Sequence, residues 1–140
     1  HVPYRTNYMA DLLSGQVHMA INPIPQAIEL VRSGKLRALG VTTLKRLAAL
    51  PDLPAVTEFV PGYEAIGWYA LGAPKNTPAE IVAKLNTATN AVLADPKFVA
   101  RLADLGVEPM PMTTEEFRAF ISRETEKWTK VIKTAGVVLE

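Results

Sequence analysis

Apolar residues in the first third of the chain alternate between helical spacing and short continuous runs. Apolar side chains within residues 7–13 predict a short helix, and those from Ile24 to Val31 predict a longer one that ends before Gly34. Two runs, Val17–Ile21 and Leu36–Thr43, have the composition of strands. The order strand, helix, strand predicts a βαβ-like unit with a right-handed crossover, and therefore an α/β fold.

The middle of the chain is rich in breakers of regular structure. Residues 45–62 contain Pro51, Pro54 and Pro61 and few periodic apolar positions. This pattern predicts a surface connection between two structural units. The apolar run Ile66–Ala73 follows it and predicts a further strand, which ends before a proline.

Helix start and stop signals dominate the second half. In Thr77-Pro78-Ala79-Glu80 the order predicts a capping box with Thr at N-cap and Pro at N1. Asp95-Pro96 predicts a short helix that stops at Gly106, and Thr113 to Glu116 repeats the capping box. The last helix is predicted to stop at Gly136 and to pack on one apolar side, which carries Phe117, Phe120, Ile121, Trp128, Val131 and Ile132.

Composition narrows the class of protein. The 140 residues suit one domain or about half of a two-domain protein, and 49% hydrophobic with 21% charged residues is typical of globular chains. Fifteen Lys and Arg residues nearly balance fourteen Asp and Glu residues and are scattered, so no nucleic-acid partner is expected. No apolar run approaches the roughly 18 residues of a membrane span.

Cysteine is absent, which excludes disulfides and thiolate chemistry. The chain opens at His1 without an initiator Met or an apolar leader, so a mature or cut product is expected.

The sequence contains few groups that could catalyse a reaction. His18 lies within a predicted strand among apolar neighbours, and no second ligand stands at a metal-site spacing. No serine lies in a nucleophile elbow, and no Walker or dinucleotide-binding loop is present. We therefore expect no catalytic residues, no metal and no cofactor, and a protein that is not an enzyme.

Polar residues at two places could bind a ligand. Asn22 follows a predicted strand and precedes Pro23 at a helix start, where ligands of α/β proteins bind. The alternative is that Asn22 only caps the helix. Tyr4, Arg5 and Thr6 form a second polar group in which Arg5 could hold a carboxylate, and the alternative there is a solvated loop.

Trp68 lies in the apolar run after the proline-rich connection. An aromatic side chain beside an interdomain cleft can form the wall of a small-molecule pocket, and the alternative is a core residue. Trp128 is expected to be a packing residue of the last helix.

Six segments, in order along the chain, resemble a known family. They are His-Val-Pro-Tyr, Leu-Leu-Ser-Gly-Gln-Val, Gly-Lys-Leu-Arg-Ala-Leu-Gly-Val-Thr, Leu-Pro-Asp-Leu-Pro-Ala-Val-Thr-Glu, Gly-Trp-Tyr-Ala-Leu-Gly-Ala-Pro and Thr-Pro-Ala-Glu-Ile-Val. Together they resemble the Bug-type solute receptors of tripartite tricarboxylate transporters, from His1 to Glu140.

The resemblance implies a type II periplasmic-binding-protein (clamshell) fold, of which this chain is the C-terminal half. It implies that residues 1–45 belong to the second, ligand-binding domain, 46–62 to the interdomain crossing and 63–140 to the first domain. It further implies a periplasmic location, a small carboxylated metabolite as ligand, and the transporter membrane subunits as partners. Asn22 is the residue carried over from the family to the ligand site, with Tyr4, Arg5, Thr6 and Trp68 as further candidates.

Two alternatives stay open at this point. The same fold serves as the effector-sensing domain of transcription regulators, which is a different class of function. In addition, a chain that holds half of a clamshell would leave unpaired strand edges, so a homodimer of the chain is expected.

Overall fold

The computed structural model describes Tyr4 and residues 7–137, and the regular structure in that part is helical. Every helix predicted from the spacing is confirmed, within one or two residues at each end. The elements are α1 Met9–Leu13, α2 Ile24–Arg32, a 3₁₀ turn Val56–Glu58, α3 Ala79–Leu93, α4 Pro96–Asp104 and α5 Thr114–Ala135.

Glycines in the left-handed conformation end four of these helices. Gly15 (φ +80°) follows α1, Gly34 (φ +72°) follows α2, Gly106 (φ +68°) follows α4 and Gly136 (φ +63°) follows α5. After α2 the Lys35 N–H donates to the Leu30 carbonyl at 2.9 Å and the Gly34 N–H donates to a neighbouring carbonyl at 3.0 Å. This pair of bonds is a Schellman motif, so the predicted stop at Gly34 is confirmed.

The starts of α4 and α5 also follow the sequence signals. Asp95 Oδ1 accepts hydrogen bonds from the Lys97 and Phe98 N–H groups at 2.8 and 3.1 Å. Thr113 Oγ1 accepts from the Glu116 N–H at 3.2 Å, and the Glu116 carboxylate accepts from the Thr113 N–H at 2.8 Å. The hydrogen bonds that the Glu116 carboxylate accepts from the Thr113 N–H and from the Thr113 hydroxyl lower the pKa of Glu116. The predicted capping box is thus complete.

The helix α3 is confirmed, but the capping box predicted at its start does not form. The helix starts at Ala79 with Pro78 at its N-cap, and no side chain caps it. The Thr77 hydroxyl donates instead to the Pro74 carbonyl at 2.8 Å. The hydroxyl is therefore used by the turn before the helix, because Ser and Thr side chains compete for nearby backbone groups.

The three predicted strands are not found in the described residues. Val17–Ile21, Leu36–Thr43 and Ile66–Ala73 have no ladder, and only an isolated parallel bridge joins Val41 to Ala55. The physical reason is that a strand needs a neighbouring strand for its N–H and C=O groups. Within residues 7–137 these segments find no such neighbour, so the predicted βαβ-like unit is not formed in the described residues.

Residues 45–62 pack more tightly than a surface connection. Leu47 is 5% exposed and Ala55 is 1% exposed, and both join Val41 in a buried apolar cluster against which Ile24 and Leu53 pack. The Val41 N–H donates to the Pro54 carbonyl at 2.9 Å. The prediction of a purely surface segment is therefore wrong, because its few apolar residues are used for the core.

An ion pair between Arg46 and Glu58 links two parts of the same segment. Arg46 donates from Nε and Nη2 to the two carboxylate oxygens of Glu58, both at 2.8 Å, and from Nη1 to the Pro51 carbonyl at 3.3 Å. Glu58 Oε1 also accepts from the Ala55 N–H at 2.8 Å. The arginine thus joins the two ends of the segment.

The chain forms two compact units. Unit 1 comprises the described residues up to Ala70 together with Ala100–Glu108. Within it, Ile28 of α2 is 1% exposed. Gly106, which follows α4, lies against Ile24 and Ile28 of α2. Arg32 of α2 donates to the Asp104 carbonyl at 2.9 Å, which also ties the end of α4 to α2.

Unit 2 comprises Leu71–Val99 and the described residues from Pro109 onward. The carboxamides of Asn86 and Asn90 on α3 both donate to the Met112 carbonyl at 2.9 Å. On the apolar side of α5, Phe120 is buried and Trp128 is half-buried, with Trp128 Nε1 donating to Glu124 at 3.0 Å. Packing along α5 is therefore closest near its start, since Val131 and Ile132 are 46% and 44% exposed.

In the part of the chain that the structure describes, no helix combines the length and the apolarity that crossing a bilayer requires.

Candidate functional site

A hydrogen bond joins Asn22, the leading site candidate, to Tyr8. The Tyr8 hydroxyl donates to Asn22 Oδ1 across fourteen residues of sequence. Both side chains are half-buried, Tyr8 just before α1 and Asn22 two residues before α2. The Asn22 NH₂ group makes no hydrogen bond within residues 7–137, so it is left as a free donor next to the start of α2.

Asn22 does not cap α2. The N-cap residue is Pro23, no side-chain oxygen accepts from the first turn, and Pro25 follows within that turn. The alternative that Asn22 only caps the helix therefore does not hold. Since neither proline has an N–H group, the Ile24 N–H is the donor left at this end, and it has no acceptor among the described residues.

The electrostatics at the start of α2 suit an anion. No acidic side chain stands in the first turn, whereas Arg32 lies in the last turn. The helix dipole places partial positive charge at the N-terminal end, where an anion is stabilised by about 0.3–1 kcal/mol. The site can therefore offer the Asn22 NH₂ group and one backbone N–H to a negatively charged group.

Tyr4 lies beside Tyr8 and binds a carboxylate of α1. The two rings meet edge to face with centroids 5.8 Å apart, and the Tyr4 hydroxyl donates to Asp11 Oδ2 at 2.7 Å. This hydrogen bond is the main cause of the raised pKa of Tyr4. Tyr4, Tyr8, Asp11 and Asn22 thus form one polar cluster, which we call the tyrosine cluster.

The other candidates lie apart from these hydrogen bonds or outside the described residues. Arg5 and Thr6 are outside the described part of the chain. Trp68 lies in an irregular segment of unit 1 with 38% of its surface exposed, and it is not one of the residues that define the tyrosine cluster. His18 is exposed.

The sequence pattern does not single out Tyr8 and Asp11 as site residues. Tyr8 enters that pattern only as an apolar position of a short helix. A signal is nevertheless present, since Tyr4, Tyr8 and Asp11 follow one another at spacings of four and three residues, which place side chains on one face of a helix. The partner Asn22 is too distant in sequence for such a rule.

Among the residues that the structure describes, no three His, Asp or Glu side chains group closely enough to hold a metal ion. The tyrosine cluster provides hydrogen-bond donors and one carboxylate, which is a chemistry for binding a polar ligand.

Comparison with known proteins identifies a family. Residues 1–137 match the family described as "Tripartite tricarboxylate transporter family receptor". A protein of Pseudomonas sp. (strain P51), described as "UPF0065 protein in tcbD-tcbE intergenic region", is 37% identical over 94% of this chain and 40% of its own length. Protein BugT of Bordetella pertussis is 34% identical over 99% of this chain and 44% of its own length. The chain thus spans less than half of each of these relatives.

Two solved structures have the same fold over the part they share with this chain. The structure titled "R. palustris Rpa4515 with adipate" superposes with a TM-score of 0.85 at 39% identity and covers 93% of this chain and 44% of its own. The periplasmic binding protein BugD superposes with a TM-score of 0.81 at 38% identity and covers 92% of this chain and 44% of its own. The described residues therefore have the fold of part of a periplasmic binding protein.

Proposed function

The chain belongs to the tripartite tricarboxylate transporter receptor family, and from this membership we propose that it is part of a periplasmic receptor for a small carboxylate-bearing metabolite. The receptor binds its ligand without chemical turnover and delivers it to the membrane subunits of the transporter. Family membership favours this function over an effector-sensing domain of a transcription regulator.

The free donor group at Asn22 carries the proposal. A carboxylate accepts hydrogen bonds and carries negative charge, and the start of α2 offers an NH₂ group, a backbone N–H and the positive end of a helix dipole. Bonds to an ionised acceptor are about twice as strong as neutral ones. In the proposed site, Asn22 donates to the ligand carboxylate.

The relatives support the ligand class. The R. palustris protein was solved with adipate, a dicarboxylate, and it is 39% identical to this chain over the shared part. We extend the proposed site to Tyr4, Arg5, Thr6 and Trp68. Arg5 is suited to a bidentate contact with a carboxylate, and Trp68 to an apolar wall.

The architecture of the whole receptor is part of the proposal. We place the chain in the C-terminal half of a type II clamshell with α/β domains. Residues 1–45 then belong to the second domain, 46–62 to the crossing and 63–140 to the first domain. In this arrangement the missing strand partners come from the rest of the receptor.

Calorimetry on the full-length receptor tests the function. Adipate, other di- and tricarboxylates and acidic amino acids are titrated into the wild type and into Asn22→Ser. We expect one-site binding of at least one carboxylate, and a loss of affinity of about tenfold or more in the variant, because Ser lacks the NH₂ donor.

Gln16→Ser serves as the matched control, since it removes a carboxamide from an exposed residue of the same unit. Its affinity should equal that of the wild type. No binding across the panel, or consumption of a titrated compound, would refute the receptor function. Wild-type affinity in Asn22→Ser would remove Asn22 from the site.

A further inference from the structure

We propose that Tyr8 is a positioning residue, whose hydroxyl orients the Asn22 carboxamide so that the NH₂ group, and not the carbonyl oxygen, meets the ligand. The inference rests on the carboxylate site proposed above and adds a specificity device to it. Its starting point is the hydrogen bond from the Tyr8 hydroxyl to Asn22 Oδ1.

The orientation of a carboxamide decides which charge it presents. Its O and NH₂ ends have nearly the same shape, but the first accepts hydrogen bonds and the second donates them. An Asn22 side chain turned by 180° would present its oxygen to the ligand and repel a carboxylate. A donor hydroxyl bound to Oδ1 favours the orientation that leaves the NH₂ group free.

The Tyr8 ring is itself held in place. It meets the ring of Tyr4 edge to face, with 5.8 Å between centroids and 62° between planes. Tyr4 is fixed in turn by its hydrogen bond to Asp11 at 2.7 Å. Since the Tyr8 side chain is half-buried, its hydroxyl is aimed at Asn22 without large rotamer freedom.

The two prolines at the start of α2 increase the importance of this orientation. Pro23 and Pro25 carry no N–H group, so this helix end has fewer backbone donors for an anion than an ordinary one. The Asn22 NH₂ group is therefore one of the few hydrogen-bond donors that a carboxylate would meet at this helix end.

A double-mutant cycle on the full-length receptor tests the inference, with adipate as the first titrant and otherwise the tightest carboxylate of the panel. Tyr8→Phe keeps the ring and removes the hydroxyl. We expect its affinity to fall about fivefold, which is the range of one net hydrogen bond. In Tyr8→Phe with Asn22→Ser the loss should equal that of Asn22→Ser alone, because the hydroxyl acts only through Asn22.

A second readout is independent of the ligand. The side-chain NH₂ signals of Asn22 in nitrogen-15 NMR spectra should report a rigid carboxamide in the wild type and a mobile one in Tyr8→Phe. Tyr63→Phe, which removes the hydroxyl of another tyrosine of unit 1, should change neither the affinity nor these signals.

The outcomes separate the inference from the function. If the wild type binds and Asn22→Ser weakens binding while Tyr8→Phe binds as the wild type does, the positioning role is overturned and the receptor function stands. Additive losses in the double variant, or a carboxamide that is equally rigid in Tyr8→Phe, also overturn it. If the wild type binds no carboxylate, both proposals fail.

Discussion

At the scale of single residues, the carboxylate of Glu58 has the most strongly perturbed environment that the structure describes. Its hydrogen bonds with Arg46 are the first cause of a pKa lowered to about 2, and the Ala55 N–H adds to it. The pair stands in partly exposed surroundings, with side-chain exposures of 46% for Arg46 and 38% for Glu58. Screening by water therefore limits the energy of the pair.

The lowered pKa of Glu58 predicts an acid dependence of stability. An unfolded Glu has a pKa near 4.5, so between that pH and about 2 the unfolded chain binds the proton that the folded chain does not. The stabilisation is complete above pH 4.5 and is lost as the pH falls to about 2. Urea unfolding from pH 2 to 6 should show the wild type losing its advantage over Glu58→Gln across this window.

Glu108→Gln is the control for this experiment, because Glu108 is exposed and has no ion pair in the described part of the chain. The difference in the free energy of unfolding between Glu108→Gln and the wild type should not change between pH 4.5 and about 2. Parallel curves for the wild type and Glu58→Gln would contradict the prediction.

At the scale of elements, the contact between α2 and the end of α4 depends on a glycine. A Cβ atom at Gly106 would lie 2.4 Å from Ile24 Cγ2 and 3.2 Å from Ile28 Cδ1, and φ there is +68°. Gly106→Ala should therefore lower the free energy of unfolding by about 2–4 kcal/mol, of which about 1–2 kcal/mol is the left-handed backbone and the rest overpacking. Urea denaturation of the chain measures this loss.

Gly34→Ala separates the two contributions. Gly34 has φ +72°, but no atom lies within 4 Å of the position that an alanine methyl group would take there. Only the backbone contribution of about 1–2 kcal/mol therefore applies to this variant. Equal losses in the two variants would mean that α4 does not pack against α2 as described.

Helices were predictable because their signals are local. Asp95 and Thr113 each lie within three residues of the N–H group they bind, so the sequence pattern contains both partners. The failure at Thr77 shows the limit of the same rule. There the Thr77 hydroxyl donates to the Pro74 carbonyl and accepts no hydrogen bond from the helix, and the order of residue types does not contain this choice.

Strands and the site were less predictable because they depend on distant partners. The apolar runs such as Ile66–Ala73 have strand composition, but a strand forms only where another strand pairs with it. Similarly, Asn22 could be selected from its place before a helix, whereas its hydrogen bond to Tyr8 spans fourteen residues. Such contacts follow from the folded chain and not from spacing.

At the scale of the whole molecule, the segments that lack strand partners expose large apolar side chains. Ile21 is 77% exposed and Tyr69 is 83% exposed. Monomeric proteins rarely leave large contiguous apolar patches uncovered. The other large exposed side chains of these segments are Met19 at 69%, Leu39 at 61% and Leu71 at 70%.

We therefore expect the 140-residue chain alone to associate into a dimer or larger assembly. Pairing with a second copy would satisfy free backbone groups and bury apolar surface. Light scattering behind size exclusion at low micromolar concentration should give a mass above 15.3 kDa. The double variant Tyr69→Thr with Leu71→Thr should shift the distribution toward the monomer.

The control replaces two residues of similar chemistry outside these segments, Val131→Thr with Ile132→Thr on α5, which are also partly exposed. It should leave the assembly unchanged. A wild-type particle of 15.3 kDa that unfolds cooperatively would show that the chain needs no partner.

The discontinuity of unit 1 limits how this protein can exchange sequence with its relatives. Ala100–Glu108 belongs to the same unit as the residues up to Ala70, and its Gly106 faces Ile24 and Ile28 of α2. A single recombination crossover between residues 70 and 100 would join a glycine turn from one parent to a helix from the other. Viable chimaeras therefore need either two crossovers that move both stretches together, or parents that agree at this contact.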